Sequence, residues 1–316
     1  MTRAALTVAP APMNARPEPC HHAEILGVGA ATWDHFWIVD DFAASERVCA
    51  ASNHVAMGGG PVATALCTLA RHGHATALID VGGDDPPGLA LRAELARHGV
   101  DTSALQVVTG RRSATAGILV RRGDGARQIV YHPSDAGEPA WTEACAKRVR
   151  QARLLHLNGR HETTARSALA EATAHGVPVA FDGGAGRWRE SLRDLVAASH
   201  VLLLAHDFAR QFAGSEDLET MIAALLTPSV QVLVITDGVR GSHLALHDGR
   251  RHHQPAFPAA PVVDTTGCGD IHHGAFLHGW LHGWSPEACA VHAARLAARN
   301  AEGLGGRFAL GLNPIE

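Results

Sequence analysis

Between Ile25 and Thr236 the chain repeats one unit, a short apolar run followed by a longer stretch with apolar residues at helical spacing. Ile25–Gly29, Thr76–Val81, Leu154–Leu157, Val179–Asp182, Val201–Leu204 and Val232–Thr236 read as strands. Helices are expected between them over Pro61–His72, Gly88–His98, Thr163–His175 and Trp188–Ala197. Strands separated by helices return in the same direction, and their crossovers cover the sheet faces. The expected fold class is therefore α/β, a layered sandwich around a parallel sheet. Two stretches break the rhythm, Phe36–Val48 and Thr115–His132. In the second, Gly117-Ile-Leu-Val-Arg and Arg127-Gln-Ile-Val-Tyr flank Gly123-Asp124-Gly125, which predicts a hairpin and a small separate sheet.

With 316 residues and 46% hydrophobic content, residues 24–316 can close one large core, preceded by a disordered tail over 1–23 rich in Ala and Pro. A net charge of -4 offers no basic stripe, so neither a nucleic-acid partner nor a polybasic membrane surface is expected. No apolar run approaches the roughly 20 residues of a membrane helix. The cysteines at 20, 49, 67, 145, 268 and 289 form no Cys-x-x-Cys pair, and the first residues lack a secretory apolar stretch, which points to the cytoplasm.

Lys147 is the single lysine, and no Gly-Lys-Ser/Thr exists. Any phosphate must be met by backbone amides, arginine or a divalent metal. The histidine pairs His21-His22, His252-His253 and His272-His273 are read as surface or packing residues, because adjacent side chains on a helix diverge and no other ligands stand beside them.

Asp264-Thr265-Thr266-Gly267-Cys268-Gly269-Asp270 precedes the helical run Ile271–Trp280. Its glycines allow close backbone approach, and amides at a helix N-terminus present donors to an anion. Asp270 would repel phosphate, so it faces another reactant, a hydroxyl that must lose a proton. The arrangement reads as phosphoryl transfer to an alcohol. The same residues also suit an ordinary glycine turn with a capping Asp.

This segment, with Gly274-Ala275-Phe276 after it, resembles the C-terminal signature of the PfkB/ribokinase family of carbohydrate kinases, with Cys268 in place of the usual alanine. The resemblance extends from about Ile25 to Gly306. It implies a ribokinase-like three-layer α/β/α sandwich, with a mostly parallel sheet and a small β-sheet lid built from segments near 36–57 and 113–133. It implies ATP and Mg2+, with Asp270 as catalytic proton acceptor and the amides of Gly267, Cys268 and Gly269 around the transferring group. The lid would cover the sugar and provide a homodimer contact.

Other segments take roles by the same resemblance. Gly27–Thr32 half matches a dinucleotide fingerprint, but the third glycine is missing and Trp33-Asp34 follows where a helix should open. Asp34 matches the family's carboxylate for sugar hydroxyls, and Gly58-Gly59-Gly60-Pro61 resembles its N-terminal glycine signature without the usual Asn. Asn158-Gly159-Arg160 resembles the ketohexokinase-like branch and favours a ketose or modified ketose. Thr236-Asp237-Gly238-Val239-Arg240-Gly241 resembles the nucleotide loop, with Thr266 beside the nucleotide and Ala294 and Ala297 walling the adenine.

Two departures stand out. Ala205-His206-Asp207-Phe208 occupies the place of Asn-x-x-Glu, where His206 or Asp207 would take over. Phe308-Ala309-Leu310-Gly311 replaces the usual close of a monovalent-cation loop, which leaves K+ dependence open. The alternatives are a non-catalytic sugar- or nucleotide-binding regulatory protein of the same fold, and a nucleoside kinase.

Overall fold

The computed structural model describes residues 24–43 and 48–311, and the tail expected over 1–23 lies outside them. Every residue of β1 (Ile25–Val28) is buried, as a strand covered on both faces must be. β2 (Thr32–Val39) runs antiparallel to β3 (Asn53–Gly59), and α1 (Pro61–Arg71) then opens on a proline whose missing N–H costs nothing there. Next come β4 (Thr76–Gly83), α2 (Pro86–Arg97), β5 (Val100–Asp101), β6 (Leu105–Val108), β7 (Thr115–Arg121) and β8 (Arg127–His132). The chain continues through α3 (Glu143–Gln151), β9 (Leu154–Leu157), α4 (Glu162–Ala174), β10 (Val179–Gly183), α5 (Arg193–Ala197), β11 (Val201–Ala205), α6 (His206–Ala213) and α7 (Leu218–Leu225). β12 (Val232–Thr236), β13 (Ser242–Leu246), β14 (Arg251–Gln254), α8 (Cys268–Leu281) and α9 (Pro286–Ala301) complete it.

The main sheet has the order β14-β13-β12-β11-β10-β9-β1-β4-β5, with β6 also beside β4. Its pairings are parallel from β12 onward, and β13 and β14 add an antiparallel hairpin at one edge. Successive strand residues serve opposite faces. Thus Leu202 and Leu204 join α3 to α7 in one core, whereas Val201 and Leu203 join α1, α2, α8 and α9 in the other. None of the helices in the described residues is long and apolar enough to cross a membrane.

β3-β2-β7-β8 form a second sheet with its own small core of Phe36, Met57, Ala116, Ile118 and Val120. β2 begins at Thr32, so this sheet leaves the main one almost directly after β1. Its other root is pinned where Ser113 Oγ accepts from Gly83 N at 2.9 Å and donates to Asp85 at 2.7 Å.

The helix expected from Trp188 forms only over Arg193–Ala197, preceded by a 3-10 turn. Trp188 instead turns inward, with ring centroids 5.3 Å from Phe208 and 4.9 Å from Phe212. Burying the indole outweighs the weak preference of a short polar segment for helix. The β13–β14 hairpin and helices α6 and α7 have no counterpart among the elements expected from sequence.

Candidate active site

The turn before α8 is fixed from three sides. Gly267 sits in the left-handed region at φ 70, and a Cβ there would lie 2.5 Å from Gly306 Cα and O, so only glycine fits. Asp264, fully buried, accepts from Thr266 N at 2.8 Å and Gly305 N at 2.9 Å. Asn300 Nδ2 donates to Thr266 O at 3.0 Å while its Oδ1 accepts from Ala309 N. No side chain caps α8, and Cys268 N has only a long 3.5 Å contact to Thr265 O. Burial raises the Cys268 thiol to about 11, which keeps it protonated and unreactive. Thr266 Oγ1 is buried without a hydrogen-bond partner among the described residues.

Asp270 stands in the first turn of α8, half-buried. Burial and then the nearby Asp182 push its carboxyl up to about 6, against the opposing pull of Arg187, His273 and Arg127. Asp182 and His273 lie beneath it, 1% and 3% exposed, with Asp182 Oδ2 3.0 Å from His273 Nδ1. Burial disfavours the imidazolium of His273, but Asp182 and Asp270 outweigh it and hold its pKa above the ordinary value. The pair His272-His273 is therefore not at the surface, and His273 lies with Asp182 and Asp270 in a group whose ligand atoms fall within 4.8 Å of one another.

The small sheet supplies the facing wall. Asp34 is 6% exposed, and its Oδ1 has no partner among the described residues. Burial raises its carboxyl to about 6, Thr32 and Arg307 oppose that rise, and the charges of Asp270 and Glu94 add to it. Asp34 thus lies near enough to Asp270 to respond to its charge. A Cβ on Gly59 would lie 1.9 Å from Asp34 Oδ2, so this carboxylate occupies the space that a side chain would take. Gly58 N donates to Glu94 at 2.6 Å, and Arg307 bridges Glu94 at 2.9 Å and Gly59 O at 3.0 Å. Gly60 then opens α1. The buried Glu94–Arg307 pair, which the sequence reading missed, shapes this glycine turn.

Asn158 and Arg160 follow β9 next to β1. Asn158 Oδ1 accepts from Arg160 N, and the Arg160 guanidinium lies 5.0 Å from the Tyr131 ring of β8, joining the main body to the small sheet. Arg127, also unanticipated, reaches from β8 to Thr265 Oγ1 at 2.6 Å and places a positive charge close enough to act on Asp270.

Thr236 ends β12 and Gly238 and Gly241 follow it, three strands from β9, or roughly 14 Å at normal strand spacing. Gly241 has φ 93, and a Cβ would meet Gln254 O at 2.1 Å, which locks the loop onto β14. α9, carrying buried Ala294 and half-buried Ala297, packs against β13 and β14 beside it. In the place of Asn-x-x-Glu, Phe208 is core, and Asp207 accepts from Gly186 N and Gln211 at 2.8 Å and from Arg210 at 3.0 Å. Asp207 is thereby committed to holding a loop.

The sequence profile of the pfkB family carbohydrate kinases matches residues 23–310. The chain belongs to this family. It is 26% identical over 294 residues to the ATP-dependent ribose-1-phosphate kinase of Halopiger xanaduensis, covering 90% of this chain and 94% of that one. It is 28% identical to the fructokinase of Klebsiella pneumoniae, covering 76% and 80%. The structure of Arabidopsis thaliana ribokinase complexed with ribose and ATP superposes with a TM-score of 0.78 at 22% identity, over 91% of this chain and 95% of that one. This carbohydrate kinase has the ribokinase-like fold, a mostly parallel central sheet with a smaller separate sheet, and it is an ATP-dependent sugar kinase by family.

Proposed function

We propose that this kinase transfers the γ-phosphoryl group of ATP to a hydroxyl of a ketose or modified ketose held between Asp34 and Asp270. The single observation that carries this reading is Asp34 Oδ1, buried without a partner among the described residues, on a carboxyl close enough to Asp270 to be raised by its charge. A carboxylate oxygen deprived of water and of protein donors needs a donor from a ligand, and neighbouring sugar hydroxyls supply it.

Asp270, ionised above about pH 6, accepts the proton of the attacking hydroxyl, a contribution worth roughly 100- to 10,000-fold in rate. The amides of Gly267, Cys268 and Gly269 stabilise charge on the transferring group, each good donor worth roughly 100- to 1,000-fold. Arg127 adds positive charge from the lid, and Gly58, Gly59 and Gly60 give the sugar backbone contacts. Thr266 Oγ1, like Asp34 Oδ1, is buried without a partner among the described residues and suits a phosphate oxygen. Thr236, Gly238, Gly241, Ala294 and Ala297 form the nucleotide side. Mg2+ neutralises phosphate charge in such transfers. Asp207 is engaged elsewhere, so Mg2+ here would rely on phosphate oxygens and water rather than on a protein cage.

The ketose preference rests on the resemblance of Asn158-Gly159-Arg160 to the ketohexokinase-like branch. A lid-mediated homodimer is consistent with β8, an edge strand exposed at every position, with Ile129, Val130 and Tyr131 outward. The test is ADP release with magnesium-ATP across ketoses, aldoses and nucleosides. Fastest turnover is expected with a ketose. Turnover confined to aldoses or nucleosides refutes the ketose assignment, and melting shifts without ADP refute catalysis.

A further inference from the structure

Five imidazoles meet at the end of α8 remote from Asp270. His72 and His74 flank Gly73 after α1, His278 lies in the last turn of α8 with His282 just beyond it, and His292 comes from α9. None belongs to an adjacent pair. The fold assembles them, although His278 and His282 already share one helix face by their spacing.

His74 Nε2 is 2.9 Å from His278 Nδ1, and His72 Nε2 is 3.0 Å from His292 Nε2. The ring centroids of His278 lie 4.4 Å from those of both His72 and His282, and Trp284 closes the group at 5.3 Å from His278. An N–H···N contact between two imidazoles requires one unprotonated nitrogen, so these rings cannot all be cations. The His74 side chain is 4% exposed, and its Nδ1 lies 3.0 Å from Glu24 Oε2. The other Glu24 oxygen meets Arg153, and the carboxylate accepts the Nδ1–H of His74. That fixes the tautomer and leaves the Nε2 lone pair aimed into the cluster.

We propose that His74, His278 and His282 form a binding site for a divalent transition metal of the zinc, nickel or copper kind. Their ligand nitrogens lie within 4.8 Å of one another. A tetrahedral zinc with bonds near 2.0–2.1 Å needs nitrogens about 3.3 Å apart, so His74 and His278 part by only a few tenths of an ångström on binding. A water takes the fourth position at exposed His282. The donors are imidazoles alone, which suits these metals and not Mg2+, separating the site from any cation carried by ATP. Eight residues of helix place it roughly 12 Å along α8 from Asp270. Bound metal clasps the turn after α1 to the end of α8 and contributes to stability rather than to chemistry.

The test uses the full chain without a polyhistidine tag, stripped with chelator and titrated calorimetrically with zinc chloride. One saturable equivalent is expected, with an upward Tm shift, and none with magnesium chloride. His282→Ala, at an exposed position, should weaken zinc at least tenfold while leaving kcat unchanged. Glu24→Gln should weaken it roughly 10- to 100-fold through His74. Cobalt(II) chloride should give the visible bands of a tetrahedral ion in the wild type and lose them in His282→Ala. Absence of saturable zinc binding, or equal zinc affinity in the wild type and His282→Ala, overturns the proposal. In the second case the metal sits at another histidine group, such as His35 with His54 or His243 with His253.

Discussion

Arg127 Nη1 donates to Thr265 Oγ1 at 2.6 Å, so the β7–β8 hairpin touches the loop that leads into the α8 amides. Thr265 Oγ1 in turn donates to Gly125 O at 3.1 Å, which fastens the hairpin turn to the same loop. The guanidinium thus stands beside the loop to which the proposed function assigns the phosphate. Arg127→Ala should lower kcat/KM roughly tenfold to a hundredfold, the usual effect of losing a hydrogen bond to a charged group. Arg127→Lys should recover part of it, since charge survives but the forked geometry does not. Steady-state kinetics on both variants checks this, and an unchanged Arg127→Ala would remove the lid arginine from the reaction.

Asp270→Asn should abolish most turnover with little change in ATP affinity, because the carboxylate serves the acceptor hydroxyl. In the wild type the pH profile carries the same information. Burial and Asp182 raise Asp270 to about 6, and in the proposed mechanism the ionised form is the proton acceptor. The rate should therefore be level above that pH and fall tenfold per unit below it. Asp34, also raised to about 6, titrates in the same window, so the acid limb belongs to the cleft as a whole. A profile flat down to pH 5 would contradict the assignment.

The loop at 264–270 was legible because its chemistry is local, with glycines, hydroxyls and a carboxylate inside one turn of chain. Asp34 and the glycines at 58–60 were singled out by the family resemblance instead, since Asp34 lies within β2 and not at a strand end. Arg127 was not legible, because its partner lies 138 residues away, and neither was the Glu94–Arg307 pair, separated by 213. A charged residue in a sequence gives no sign of whether it will be solvated or buried against a distant partner. The α/β rhythm was plain in β1, β4 and β9 to β12, whose strands are buried runs. β13 and β14 were missed because their histidines and serine lack a continuous apolar signal.

Glu94 and Arg307 are 3% exposed each, and breaking such a pair leaves one charge stranded in the interior. Glu94→Gln should cost roughly 3–5 kcal/mol of stability. Burial alone would raise Glu94, yet His98, Arg307 and Gly58 N overcome it and hold the carboxyl at about 2, below its ordinary 4.5. A depressed folded pKa contributes stability that is present above the unfolded value and lost as pH falls toward the folded one. Wild-type Tm should therefore drop between about pH 4.5 and pH 2 more steeply than that of the variant. Parallel melting curves over that range would show that the pair does not control acid stability.

His273 offers a way to move Asp270 without touching it. Its positive charge lowers the Asp270 carboxyl, while Asp182 raises it, and the two sit 3.0 Å apart. His273→Gln removes the favourable charge and keeps a polar side chain of similar length beside Asp182. Asp182 then acts on Asp270 with only Arg187 and Arg127 to oppose it, and like charges in a poorly solvated site repel strongly. The acid limb of the kcat/KM profile should shift to higher pH, so that the variant is impaired at pH 7 and recovers toward wild-type rates at pH 8.5. A purely structural defect would lower the rate equally at every pH, and that outcome would confine His273 to packing.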